Sequence, residues 1–117
     1  MNCKMDYKTV ATADFERELR RLGKKYPSIP SDYEQFLKEL LENPEMGDNL
    51  GGNTRKVRMA IASKNKGKRG GARVITCNVL VSIENTKIYL LTIYDKGEKD
   101  SISSKEIEIL KRRNRLQ

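Results

Sequence analysis

Arg55-Lys56-Val57-Arg58-Met59-Ala60-Ile61-Ala62 alternates residue by residue, with Val57, Met59 and Ile61 in one set and Lys56, Arg58 and Ala60 in the other. A period of two sends the sets to opposite faces of an extended chain, so this stretch predicts a strand with one apolar and one basic face. The Lys- and Gly-rich run from Ser63 to Gly71 predicts a loop. The segment Ala72 to Ile83, dominated by Val, Ile, Thr and Leu, predicts a second strand, and Glu84-Asn85 turns the chain into a third from Lys87 to Asp95. Short connections between successive strands predict an antiparallel meander, with Cys77, Val79 and Val81 as core candidates.

Upstream the apolar period lengthens. A short strand is expected over Tyr7 to Ala11, after which Thr12 or Asp14 caps a helix carrying Phe15, Leu19 and Leu22 on one face, with Gly23 as a left-handed stop. Lys24 to Pro30 reads as a turn. Ser31 and Glu34 stand in capping-box spacing ahead of Tyr33, Phe36, Leu37, Leu40 and Leu41, and Asn43-Pro44 ends that second helix. Two successive amphipathic helices need a shared apolar partner. Glu45 to Asn53 reads as a loop. Ser103 and Glu106 repeat the capping-box spacing and open a last helix with Ile107 and Leu110 apolar, whose basic end, Lys111, Arg112, Arg113 and Arg115, suits the helix dipole. The expected order is β-α-α-β-β-β-α in one α+β domain, residues 1–117, with a small, mainly antiparallel sheet and a loose extension over residues 1–6.

Eight Lys or Arg residues lie between Arg55 and Arg73, and no Asp or Glu occurs from Gly51 to Ile83, so this segment alone matches the net charge of +8 carried by all 117 residues. Charge concentrated this way makes a directed field, and the expected ligand is a polyanion, nucleic acid before others. The chain has no histidine. That excludes Ser-His and Cys-His nucleophiles and the usual zinc ligand sets. Cys3 and Cys77 lack CxxC spacing and read as reduced thiols. No run approaches the roughly 20 apolar residues of a membrane span, and Met1 to Val10 lacks the apolar centre of a secretion signal, so a cytoplasmic protein with no membrane partner is expected. Gly67, Gly70 and Gly71 lack the spacing of a phosphate-binding P-loop and read as turn residues.

The ordered set Asn43-Pro44-Glu45-Met46-Gly47-Asp48, Arg55-Lys56-Val57-Arg58-Met59-Ala60, Gly67-Lys68-Arg69-Gly70-Gly71-Ala72-Arg73-Val74-Ile75 and Ile88-Tyr89-Leu90-Leu91-Thr92-Ile93-Tyr94-Asp95-Lys96-Gly97-Glu98-Lys99 resembles the HigB-like branch of the RelE/ParE toxin superfamily. The similarity runs from about Asp14 to Leu110. It implies a small twisted sheet with two helices on one face, and a bacterial type II toxin: a ribosome-dependent mRNA endonuclease, independent of metal and cofactor, neutralised by a cognate antitoxin of helix-turn-helix type. Carried over by position, it implies catalytic roles for Lys56, Arg58, Arg73 and Lys96. A late tyrosine that stacks a nucleobase in related toxins has no counterpart after Tyr94, so Tyr94 substitutes for it or the role is lost.

RNA cleavage through the 2′-hydroxyl needs a base, charge stabilisation at phosphorus and an acid for the leaving oxygen. Arg73 is the expected phosphate clamp, because a guanidinium makes paired hydrogen bonds to phosphate oxygens. Lys56, Arg58, Lys96 and Lys99 are expected to crowd one another, which eases proton exchange at a lysine; Glu98 is another candidate base. Lys64, Lys66, Lys68, Arg69, Tyr94 and Lys99 are candidate RNA contacts. Each has a plainer rival: a solvated strand face for Lys56 and Arg58, loop solubility for Lys64 to Arg69, ordinary packing for Tyr94. Two functional alternatives remain beside the nuclease: a ParE-like poison of DNA gyrase and a catalytically inactive RNA-binding module.

Overall fold

Residues 5–116 are described by the computed structural model, which has the order β1 (Asp6–Ala11), α1 (Ala13–Lys25), α2 (Ile29–Glu42), β2 (Asp48–Gly51), β3 (Thr54–Met59), a 3-10 turn (Ala62–Lys64), β4 (Ala72–Leu80), β5 (Asn85–Asp95) and α3 (Ser104–Arg113). The fold is α+β. The five strands of the described residues form one sheet in the order β1-β5-β4-β3-β2, with β1 parallel to β5 and the other neighbours antiparallel. Asp6, expected in a loose extension, is the first residue of β1; Cys3 lies outside the described residues. No helix among the described residues is long and apolar enough to cross a membrane.

The chain leaves the sheet at Thr12, whose Oγ1 donates to Leu90 O at 2.8 Å and accepts from Phe15 N at 3.2 Å. Of the two expected caps, Thr12 is therefore the one used, and it also pins the helix start to β5. Helix α1 runs through Gly23 rather than stopping there. It ends at Tyr26, extended at φ −124° and ψ 106°, as a residue preceding proline is pushed to be. Helix α2 begins at Ile29, ahead of the expected Ser31, because Pro30 is tolerated in a first turn. Ser28 makes no capping bond; its Oγ donates to Asp32 Oδ2 at 2.6 Å and accepts from Ser63 N at 2.8 Å, tying α2 to the 3-10 turn.

The expected loop over Glu45 to Asn53 contains a strand. Asp48–Gly51 pairs with β3 across Gly52-Asn53, both at positive φ (58° and 61°), which is the geometry of a tight two-residue hairpin turn. All four residues of β2 are exposed, so no apolar alternation marks it. Gly47 leads into it at φ +95°, where an added Cβ would lie 2.5 Å from Lys56 O.

Both sheet faces are covered. Phe15 and Leu22 of α1 and Ile29, Phe36 and Leu40 of α2 pack on Val57, Met59, Val74, Ile88, Leu90 and Ile93. On the opposite face Ile107 of α3 packs with Ile75, Cys77, Leu91 and Tyr94. Val81, a core candidate from its composition, is exposed beyond the end of β4, whereas Cys77 is a buried free thiol. The two layers fall out of phase within β5. Ile75 pairs with Thr92 and Thr76 with Leu90, so Leu91 is a one-residue bulge. Downstream of it Ile93 faces α1 and α2, and Tyr94 faces α3.

Asp95, 1% exposed, closes β5 as a buried polar hub beneath α1. It accepts from Tyr26 Oη at 2.6 Å, from Gly97 N at 2.9 Å and from Lys64 Nζ. Burial pushes its carboxyl up, but Lys64, Tyr26 and the Gly97 N–H outweigh that and hold it below the usual carboxylate range. A depressed folded value means that the stability it contributes is present above about pH 4 and is lost as pH falls through the depressed value. Asp95→Ala, which strands Lys64 in a buried setting, should destabilise the fold by about 3 kcal/mol near neutrality in urea denaturation. The difference from wild type should shrink as pH is lowered below about 4.

Candidate functional site

The register places Arg58 of β3 directly opposite Arg73 of β4, and Arg73 opposite Tyr94 of β5. Paired residues share a face and stand about 5 Å apart at Cβ, so these three side chains form a row across the sheet on the α3 side. Lys56 lies two residues along β3 from Arg58 and shares its face. Lys96 follows Tyr94 by two residues, and its N donates to Gly71 O at 3.0 Å, closing the end of the sheet beside the row. Lys56, Arg58, Arg73 and Lys96 are thus brought to one end of one face. The bulge at Leu91 is what puts Tyr94 in their company.

Two guanidinium groups directly opposite each other are destabilising. The structure offsets this by turning Arg73 into the loop: 7% exposed, it donates from Nη1 to Lys68 O and Ala72 O, both at 3.3 Å, and from Nη2 to Arg69 O at 3.0 Å. Arg73 therefore shapes the Lys68–Arg69 turn while its charge stays in the row. Arg58 is exposed and Lys56 half-buried, and among the described residues neither has a hydrogen-bond or ion-pair partner.

Tyr94 is 6% exposed, and its hydroxyl is buried without a hydrogen-bond partner. Burial pushes its phenol up; the charge of Arg73 acts in the opposite sense. Lys99 Nζ lies 6.0 Å from the ring centroid and is ion-paired with Glu106, whose carboxylate also accepts from Ser103 N in the capping box of α3. The expected crowding among Lys56, Arg58, Lys96 and Lys99 is relieved by acids. Lys96 Nζ donates to Asp100 Oδ1 and Asp100 O, each at 2.7 Å, and Lys99 turns to Glu106. Glu98 points away to α1, accepting from Arg21 at 2.8 Å and Lys25 at 3.0 Å, and these hydrogen bonds hold its carboxyl below the usual range. A carboxylate so engaged is a poor base.

The loop cations separate. Lys64 is on the opposite side of the sheet, its side chain 10% exposed and spent on Asp95. Lys68 bonds Glu39 of α2 at 2.7 Å, whereas Lys66 and Arg69 are exposed. The site gains what sequence reading did not single out: Asp100, and the carbonyls of Lys68 and Arg69 that aim Arg73. Nothing in the spacing of Lys96 and Asp100 marks their contact, because four residues in an irregular segment carry no fixed geometry.

A groove of about 650 Å³ runs between β2 and α3 and is lined by Leu50, Thr54, Ile102, Ile107 and Lys111. A second cleft of about 540 Å³ adjoins the row through Tyr94 and Lys99, with charges of both signs on its rim. The row itself is open at its Lys56–Arg58 side, which suits a polymer passing across it. The chain matches no model of a known protein family.

Gly71 sets the spacing of this end of the sheet. A Cβ there would lie 2.3 Å from Met59 O and 3.0 Å from Ile61 N, both backbone atoms. Gly71→Ala should therefore force β3 and β4 apart and destabilise the protein by about 1–3 kcal/mol, the range for overpacking, with the largest amide shifts in two-dimensional NMR at Met59, Ala72 and Lys96.

Proposed function

We propose that the protein is the toxin of a type II toxin-antitoxin pair, a metal-independent endoribonuclease that cleaves translated mRNA on the ribosome. The observation that carries this reading is the cross-strand row Arg58–Arg73–Tyr94 with Lys56 and Lys96 beside it, cations from separate strands on one face of the sheet. The ordered motifs that resemble HigB-like toxins support the same reading from the sequence.

In this mechanism Arg58, the exposed member of the row, meets the non-bridging oxygens of the scissile phosphate, and Arg73 holds positive charge beneath them as negative charge builds. One of Lys56 and Lys96, as the neutral amine, takes the proton of the 2′-hydroxyl, and the other, as the ammonium, gives a proton to the departing 5′-oxygen. Acid-base help of this kind is worth about 10²- to 10⁴-fold per group, and alignment of the message by the ribosome supplies much of the rest. Lys66 and Arg69 add phosphate contacts that carry no sequence information. The protein works in the bacterial cytoplasm, and its partner is a small antitoxin with a helix-turn-helix portion.

The buried, covered ring of Tyr94 favours a second reading, an RNA-binding module without cleavage, since a base cannot stack on it as it stands. Induced expression in bacteria with primer extension on translated messages separates the two. Growth arrest with discrete new 5′ ends supports the nuclease; intact messages without arrest favour the binding module, and intact messages with DNA damage would point to gyrase. Arg58→Ala, which removes an exposed side chain with no internal bond, should fold normally by circular dichroism and reduce cleavage by about 10²- to 10³-fold. It should also lessen the salt dependence of single-stranded RNA binding by about 0.7 in the log-log slope, the value for one lost phosphate contact.

A further inference from the structure

Two neighbouring side chains of the segment 96–100, Asp100 and Lys99, engage members of the row. The carboxylate of Asp100 sits 2.7 Å from Lys96 Nζ, and the backbone carbonyl of Asp100 takes a second hydrogen bond from the same ammonium at 2.7 Å. One residue earlier, Lys99 Nζ lies over the ring of Tyr94 and is tethered to Glu106. An anion thus occupies the row's ammonium, and a cation lies over its aromatic ring.

From this arrangement we infer that Asp100 is an internal stand-in for a substrate phosphate: the free protein holds its own phosphate position at Lys96 closed, and a phosphodiester of single-stranded RNA opens it by displacing the Asp100 carboxylate. The inference rests on the RNA-binding reading above. Geometry makes the exchange easy. The Asp100 side chain is 95% exposed, so it swings into solvent without disturbing packing, whereas the backbone before it is fixed by Glu98 N and Lys99 N donating to Asp95 O at 3.0 and 2.9 Å. The ammonium stays in place because Lys96 N is bonded to Gly71 O. The Asp100 carboxyl feels Lys96 first and Lys56 more weakly, so its charge also offsets Lys56, which like Arg58 has no ion-pair partner among the described residues. Release of Asp100 therefore uncovers more positive potential than the Lys96 contact alone.

The experiment compares wild type, Asp100→Asn and Glu34→Gln in binding a short fluorescein-labelled single-stranded RNA, read by fluorescence anisotropy at low salt. Glu34→Gln makes the same charge change on α2, on the far side of the sheet, where Glu34 is 75% exposed. The expected result is that Asp100→Asn tightens binding about two- to fivefold, the span an exposed ion pair sets, while Glu34→Gln binds as wild type does. Equal affinity for all three proteins would overturn the inference and leave the RNA-binding reading intact. Equal tightening by both variants would also overturn it, because net charge alone would then be responsible. Failure of all three to bind RNA would overturn the RNA-binding reading and this inference with it.

Discussion

Leu91 has no partner of its own across β4, and that one extra residue decides what the rest of β5 meets. Before the bulge, Ile88 and Leu90 lie against α1 and α2; after it, Ile93 takes that side and Tyr94 is sent to the other. Without the insertion the strand's period of two would send Tyr94 into the layer beneath the N-terminal helices and Ile93 out beside Arg73. The row across the sheet, the cover over Tyr94 and the burial of Asp95 on the opposite side all follow from this half-step. A bulge of this kind adds no contact of its own; it changes which contacts are available.

The sheet also sorts charge. A sequence segment dense in cations is divided once folded. Lys64 passes to the helical side and neutralises the buried Asp95, Lys68 fastens the loop to Glu39 of α2, and Lys56, Arg58 and Arg73 remain on the α3 side. Some of the positive excess is therefore structural, since Asp95 could not stay ionised at 1% exposure without Lys64 and Tyr26. The remainder has no acidic partner on its own strands. Arg58 and Arg73 repel each other across a ladder where any neutral pair would be more favourable, and such a local conflict is the kind a fold retains for a site.

Much of this was legible in the sequence, for identifiable reasons. The alternation of Val57 and Met59 with Lys56 and Arg58 fixed the strand and its faces, because burial on one side and solvent on the other leave a period of two. Ser103 and Glu106 foretold their capping box, whose geometry is local. The failures are those of context. β2 was hidden because an exposed edge strand has no apolar face, though Gly52-Asn53 carried a hairpin signal. Gly23 read as a stop, yet its helix continues to Lys25. Ser31 lost the cap because contacts with Ser63, far along the chain, stabilise an earlier start. In the site, the row was legible as residue types but not as neighbours. Register depends on the bulge, and the divergence of Lys64 from Lys56 depends on which face Asp95 occupies.

The parallel pairing of β1 with β5 bears on how the protein is made. Asp6 lies opposite Asn85 and Ala11 opposite Leu90, so the first strand to be synthesised waits for the last before it has a neighbour. Contacts this distant in sequence form slowly and late. During translation the helices α1 and α2 emerge with their apolar faces uncovered, and only when residues through Asp95 have cleared the exit tunnel can the sheet that covers them close. The row of cations is assembled in that same event, since its members come from β3, β4 and the end of β5. A nascent chain is thus aggregation-prone until the sheet closes, and the cover over its helices and the row of cations are completed at nearly the same codon.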